Sequence, residues 1–279
     1  MTELEIESLR GWIGREQASE DVLTEDLARK YHATLELPGE APRLGEVAPR
    51  MIHFCLAQPV VPTSALGPDG HLQRGGFLPP VALPRRMWAG GLITFPGDLS
   101  VGDRIERRSR IADVALKQGR AGTLCFVTVE HRILVDERIR IEERQDIVYR
   151  GLDGGGGKAP PAADAGAHRR PVDGSAPLLF RYSALTFNSH RIHYDRRYAT
   201  EVEGYPGLVV HGPLQAAWLF GYAAELKGAP PSRFAFRGLS PLFDDDAIFL
   251  NADADGEGLK LWTARQGGPI AMSAEASWV

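Results

Sequence analysis

The strongest constraint on how this chain can fold is the stretch 213–226, PLQAAWLFGYAAEL. Gly212 stands at the cap, Pro213 occupies the first helical position, Lys227 comes near the end, and Gly228 lies just beyond it, so start and stop signals agree on a helix. Its apolar residues, Leu214, Ala217, Trp218, Leu219, Phe220, Tyr222, Ala223 and Leu226, surround nearly the whole circumference. A helix with no polar face to give to water must be buried. No window of the chain approaches the roughly 18 uninterrupted apolar residues of a membrane span, so the expected cover is protein. A sheet must wrap this helix.

Strands are available in both halves. In the first they are expected over 88–95, 104–114, 123–135 and 142–149, separated by turn-rich PGDLSVGD and KQGRAG. In the second they are expected over 233–239, 247–254, 259–266 and 270–278, separated by SPLFDDD, DADGEG and QGGP. Four strands at comparable spacing in each half suggest duplication. Hairpin-length turns point to antiparallel sheets with few helices, an α+β chain. Between the halves, residues 151–177 carry almost no large apolar side chain and cannot offset their ordering entropy. They are expected to be a linker between domains 1–150 and 178–279. A half-exposed helix is expected over 12–32, where charges interleave with Leu23, Leu27 and Tyr31.

The formal net charge of −4 gives no footprint of a nucleic-acid binder. The acidic N-terminus, MTELEIESLRGW, is unlike a signal peptide, so a cytoplasmic protein with no membrane partner is expected. Cys55 and Cys125 sit in apolar runs, which favours buried reduced thiols over a disulfide or a cysteine metal site. GLDGGGGK fails as a phosphate loop, because Gly151 stands one residue too far from Gly157 and Ala159 replaces Ser or Thr. DADGEG lacks the ligand series of a calcium loop, and no G-x-S-x-G nucleophile elbow occurs.

Three of the eight histidines, His190, His193 and His211, fall within 180–215. The stretch reads as a strand over 178–186, a polar loop over 188–193, a short helix that Asp195 caps, the loop GYPG, an apolar run over 208–210, and the buried helix. A helix N-terminus offers amides without internal partners and the positive end of the dipole. Pro213 has no N–H, which leaves Gly212 as a donor whose missing side chain lets a carbonyl oxygen approach. The alternative is a three-histidine zinc site of His190, His193 and His211.

The run YSALTFNSHRIHYD followed by GYPGLVVHGPLQ resembles the MaoC-like hydratase and dehydratase family. Its mesaconyl-CoA and itaconyl-CoA hydratase branch, and the related mitochondrial hydroxyacyl-thioester dehydratases, are the nearest in pattern. The resemblance implies a double hotdog fold, with two antiparallel sheets each wrapping a long central helix, and a first half that is a degenerate hotdog completing the acyl pocket. It implies hydration or dehydration of a coenzyme A thioester, short, branched or dicarboxylic, with no cofactor beyond the coenzyme A of the substrate and no metal; two hotdogs in one chain mimic the dimer of single-hotdog relatives, so monomer and homodimer both stay open, the homodimer preferred. In the wider family this loop reads Asp-x-Asn-Pro-x-His. Aligned on the histidine, His193 takes the catalytic position, and Asn188 replaces the Asp. His193 is then the acid/base near its ordinary pKa of about 6.5, Asn188 orients water or thioester, Gly212 stabilises the enolate oxygen, and His211 holds the loop. Arg191, then Arg181, are the candidates for a substrate carboxylate. The alternatives on the same architecture are a thioesterase and a catalytically silent acyl-CoA binder.

Overall fold

A computed structural model describes residues 3–119, 122–151 and 160–278. The eight expected strands form, with shifted ends, and two more join them. In the first half the strands are β1 (Glu16–Val22), β2 (Arg85–Thr94), β3 (Arg104–Gly119), β4 (Gly122–Val135) and β5 (Arg138–Arg150). In the second they are β6 (His168–Val172), β7 (Arg233–Gly238), β8 (Ile248–Asp255), β9 (Gly258–Arg265) and β10 (Ile270–Ser277). All pair antiparallel in one sheet of order β1-β3-β4-β5-β2-β7-β10-β9-β8-β6. The two expected sheets are therefore one. They fuse where β2 pairs β7, from Gly90 opposite Arg237 to Thr94 opposite Arg233. The outermost strands, β1 and β6, belong to different halves.

The helices are α1 (Glu3–Arg10), α2 (Glu25–Thr34), α3 (Ala176–Leu185) and α4 (Gly212–Lys227). α4 is the all-apolar helix, closed by Gly228 in the left-handed region. It packs against β7 to β10, and Leu219, Phe220 and Ala223 share one core cluster with Ile93, Ile133 and Ile141 of the first half and Phe234, Leu250 and Met272 of the second. Leu219 and Phe234 are fully buried, and each such side chain stabilises the fold by about 1.5–3 kcal/mol. Among the described residues the first half has no long central helix. The short 3₁₀ turn Ile52–Cys55 contributes its buried side chains to the same cluster.

Three expectations differ from what folds. The helix expected over 12–32 is β1 followed by α2, because the backbone of 16–22 pairs antiparallel with β3, where Glu16 lies opposite Arg110 and Glu20 Oε2 lies 3.2 Å from Arg104 Nη1, and Thr24 then caps a new helix by accepting from the Leu27 N–H at 3.1 Å. The strand expected over 178–186 is α3. Its buried residues Leu179, Tyr182, Ser183 and Thr186 recur at helical spacing, while Phe180 and Phe187 face water. Within the expected linker, β6 pairs β8 from His168 opposite Ala252 to Val172 opposite Ile248; residues 152–159, with most of GLDGGGGK, lie outside the described residues. Among the described residues no helix is long and apolar enough to cross a membrane. Cys55 and Cys125 are free and buried, and burial pushes both thiols up, to about 12 and about 11.

Candidate active site

The chain leaves α3 by a sharp turn at Phe187, whose φ is +49°. The Asn188 N–H then donates to the Ser183 carbonyl at 2.8 Å, and Asn188 Oδ1 accepts from the His190 N–H at 3.0 Å. This side chain folds the loop back on itself, as Asn does in turns. The loop continues into a single 3₁₀ turn, Arg191–His193, which carries His193 into the interior. Asp195 follows as expected, its Oδ1 accepting from the Tyr198 N–H at 3.0 Å.

His193 Nδ1 lies 2.7 Å from the Val209 carbonyl. A carbonyl only accepts, so Nδ1 carries the proton and Nε2 keeps a free lone pair. The His193 ring stacks on that of His211, with centroids 3.7 Å apart and planes 17° from parallel. His211 is the residue immediately before α4, and its Nε2 is bonded to Ser183 Oγ at 2.8 Å. The imidazole therefore lies against the first turn of the buried helix, where the first amides have no intrahelical acceptor. The Val209 N–H donates to the Ile192 carbonyl at 2.9 Å and ties the two segments together. Below them, Thr263 Oγ1 donates to Gln215 Oε1 at 2.7 Å while accepting from the Met272 N–H at 3.0 Å, which fixes the start of α4 to β9 and β10.

Burial keeps this cluster uncharged. It is the largest influence on each ring and lowers His193 to about 4 and His190 to about 2, with neighbouring imidazoles adding to the effect. His211 is held well below the usual range by burial and by His193 and His190. His193 is thus more depressed than the expected 6.5, and it is neutral at physiological pH. The three-histidine zinc site does not assemble. Parallel rings aim their lone pairs along neighbouring planes, and one nitrogen of each stacked ring is already bonded. Sequence reasoning passed over His71, whose ring lies 3.9 Å from that of His190 and whose Nδ1 lies 2.9 Å from Asp69 Oδ2. The available signal was a carboxylate and an imidazole two positions apart in the Gly-rich turn GPDGH.

A family model described as hydroxyacyl-thioester dehydratase type 2 matches residues 51–244. The chain belongs to this family. It is 44% identical over 94% of its length, and 95% of the relative's, to a mesaconyl-C(4)-CoA hydratase of Chloroflexus aurantiacus. Among solved structures, a MaoC-like dehydratase from Phytophthora capsici superimposes with a TM-score of 0.67 at 15% identity, with 98% of each chain covered. A Mycobacterium tuberculosis protein described as a double hotdog gives 0.56 at 16% identity, covering 97% of this chain and 96% of that one. The fold is the double hotdog, and the enzyme class is hydro-lyase.

Within this dehydratase-family site, the expected residues have unequal standing. His193, His211 and the start of α4 come together. A Cβ at Gly212 would approach Trp88 Cε3 to 2.8 Å, so the missing side chain makes room for an indole from β2. Asn188 has committed its Oδ1 to the loop. Arg191, expected to meet a substrate carboxylate, is engaged elsewhere: Nη2 lies 2.8 Å from Asp195 Oδ2, Nη1 donates to the Pro68 carbonyl at 3.0 Å, and the guanidinium sits over the Tyr198 ring. Arg181 is exposed on α3 and forms no ion pair among the described residues.

Proposed function

We propose that the protein adds water to an α,β-unsaturated acyl-CoA carrying a free carboxylate, of the mesaconyl or itaconyl type, with His193 as acid/base. The observation that carries this reading is the free Nε2 of a buried neutral imidazole lying against the first turn of α4. Water attacks the β-carbon while His193 Nε2 accepts its proton, and the displaced electron pair moves onto the thioester oxygen as an enolate. His193 then returns that proton to the α-carbon. Such transfer contributes about 10²–10⁴ in rate. The enolate faces the Gly212 N–H at the helix start, a donor worth on the order of 3 kcal/mol in comparable oxyanion sites. His211 acts by positioning, since it carries the His193 ring on its face and is itself fixed by Ser183.

For the carboxylate we assign Arg86 of β2. It stands two residues before Trp88, on the same face of the strand, forms no ion pair among the described residues, and its charge acts on both His71 and His190. A guanidinium there meets a carboxylate near the carbon that water attacks. The 44% identity to a mesaconyl-C(4)-CoA hydratase supports a substrate of this type. The reaction as written calls on no metal or redox cofactor beyond the coenzyme A of the substrate. A homodimer and a cytoplasmic location complete the proposal; chromatographic size tests the first.

The deciding experiment follows enoyl absorbance and free thiol separately on mesaconyl-CoA, itaconyl-CoA and crotonyl-CoA. Hydration removes the absorbance without releasing thiol. Thiol release identifies a thioesterase, and binding without either change identifies a silent acyl-CoA binder; each result overturns the proposal.

A further inference from the structure

A hairpin of the first half ends inside the histidine cluster of the second. Leu66 bridges Leu72, and the Gly67 N–H donates to the His71 carbonyl at 2.7 Å. The hairpin docks on the 188–191 loop through backbone groups: the Ser189 hydroxyl donates to the Gly70 carbonyl at 2.6 Å, and the Arg191 N–H donates to the Asp69 carbonyl at 2.9 Å. Gly70 has φ +86°, and a Cβ there would overlap the Ser189 carbonyl oxygen, so only glycine permits this approach.

The docked loop presents a carboxylate and an imidazole in a defined state. Asp69 accepts from His71 Nδ1–H at 2.9 Å, which leaves His71 Nε2 with a bare lone pair, the same tautomer that the Val209 carbonyl imposes on His193. The His71 ring lies on one face of His190, and His190 meets the His193 ring edge-on with centroids 5.4 Å apart. At the position where the wider family carries a carboxylate, Asn188 has its oxygen occupied.

We propose that His71 is a second catalytic imidazole of the hydration site, its Nε2 holding the attacking water, with Asp69 as its positioning residue. This rests on the hydratase reading above. The water oxygen bonds to the β-carbon as one proton passes to His193 Nε2, while the second O–H stays hydrogen-bonded to His71 Nε2. The enolate then takes the first proton at the α-carbon, so one water enters and no other reactant is consumed. The groups facing His71 are Asp69, Arg74, Arg86 and the imidazoles of His190 and His193, and burial outweighs the Asp69 carboxylate in keeping the ring neutral.

The test uses the full chain and mesaconyl-CoA. A wild type that hydrates no enoyl-CoA overturns the functional reading and this proposal with it. With an active wild type, His71→Ala is expected to lower kcat about a hundredfold with KM within about threefold, and added imidazole to restore part of the turnover. Asp69→Asn, which frees the wrong tautomer, is expected to lower kcat at least about tenfold with the melting temperature preserved. If alanine unfolds the chain, His71→Gln replaces it and is expected to lower kcat at least about tenfold. Turnover near wild type in the folded variant overturns the proposal and leaves the hydratase reading standing. So does one equivalent of metal in the purified protein with activity lost on chelation, because an ion held by Asp69, His71 and His190, whose ligand atoms lie within 4.8 Å of one another, would take the same lone pair.

Discussion

The two hotdog halves share a sheet and differ in what they bury. The second half encloses α4 and a set of imidazoles that burial keeps neutral, with His193 Nε2 bare and His211 Nδ1 without a partner among the described residues. The first half encloses paired charges instead. Its buried Glu143 lies 3.6 Å from His53, with Arg107 and His131 close by, and although burial pushes the carboxyl up, these neighbours outweigh it and hold it down at about 2. His131 is bonded to Ser109 at 2.8 Å and Arg107 approaches its ring to 3.2 Å. Paired buried charge is costly to disturb, and both ring nitrogens of His131 are engaged, by Ser109 and by Arg107. Neutral imidazoles with one free nitrogen are the opposite. The difference separates a half that holds its shape from one that carries proton transfer, even though both are curved sheets of similar strands.

Variants that strike each half separately break or sharpen this contrast. The largest effect is expected from His193→Ala, which should lower turnover by at least about a hundredfold while the melting temperature stays within a few degrees; a small loss of turnover removes His193 from the mechanism. Glu143→Ala should do the reverse, costing about 3–5 kcal/mol of stability by leaving the buried Arg107 uncompensated, with kcat per folded molecule unchanged; denaturant unfolding beside steady-state kinetics reads both. Arg86→Ala should weaken mesaconyl-CoA about tenfold to a hundredfold in KM and leave crotonyl-CoA untouched, since a charged hydrogen bond of about 1.5–3 kcal/mol is lost only where the carboxylate exists. Equal losses on both substrates contradict the assignment.

The smallest effects are in pH. His190, His193 and His211 have folded pKa values below the ordinary 6.5, so between that value and about 4 the unfolded chain binds more protons than the folded one. Their contribution to stability is complete above 6.5 and falls away as pH drops toward 4. The acid limb of kcat/KM should likewise lie near 4, where His193 protonates, and a limb at 6.5 contradicts a buried base.

The sequence was most legible where one physical requirement left one solution. The α4 helix had to be buried and ends at Gly228 as expected, while its start lies one residue earlier, with His211 rather than Gly212 at the cap. The eight strands between recognisable turns were found because alternation and turn chemistry agree. Legibility failed where partners distant in sequence decide. Residues 16–22 carry no strand pattern by themselves and become β1 because β3, distant in sequence, offers its edge for antiparallel pairing. Arg191 looked available until Asp195 and the Pro68 carbonyl, supplied by another half, took its guanidinium. The same remote hairpin brings Asp69 and His71, which no local spacing connects to His193. Gly212 was read as the approach for a carbonyl oxygen, and only the fold shows that Trp88 packs where its side chain would be.

Fusion of the two halves through β2 and β7 leaves, among the described residues, two strand margins open to another chain. β1 meets such an intruder with the carboxylates of EQASEDV, and β6 with HRRPV, where Pro171 lacks the amide hydrogen a ladder requires. Like-charged copies repel at the first margin, and the second offers a broken row of donors. Concentrated solutions should accordingly stay free of fibrillar growth.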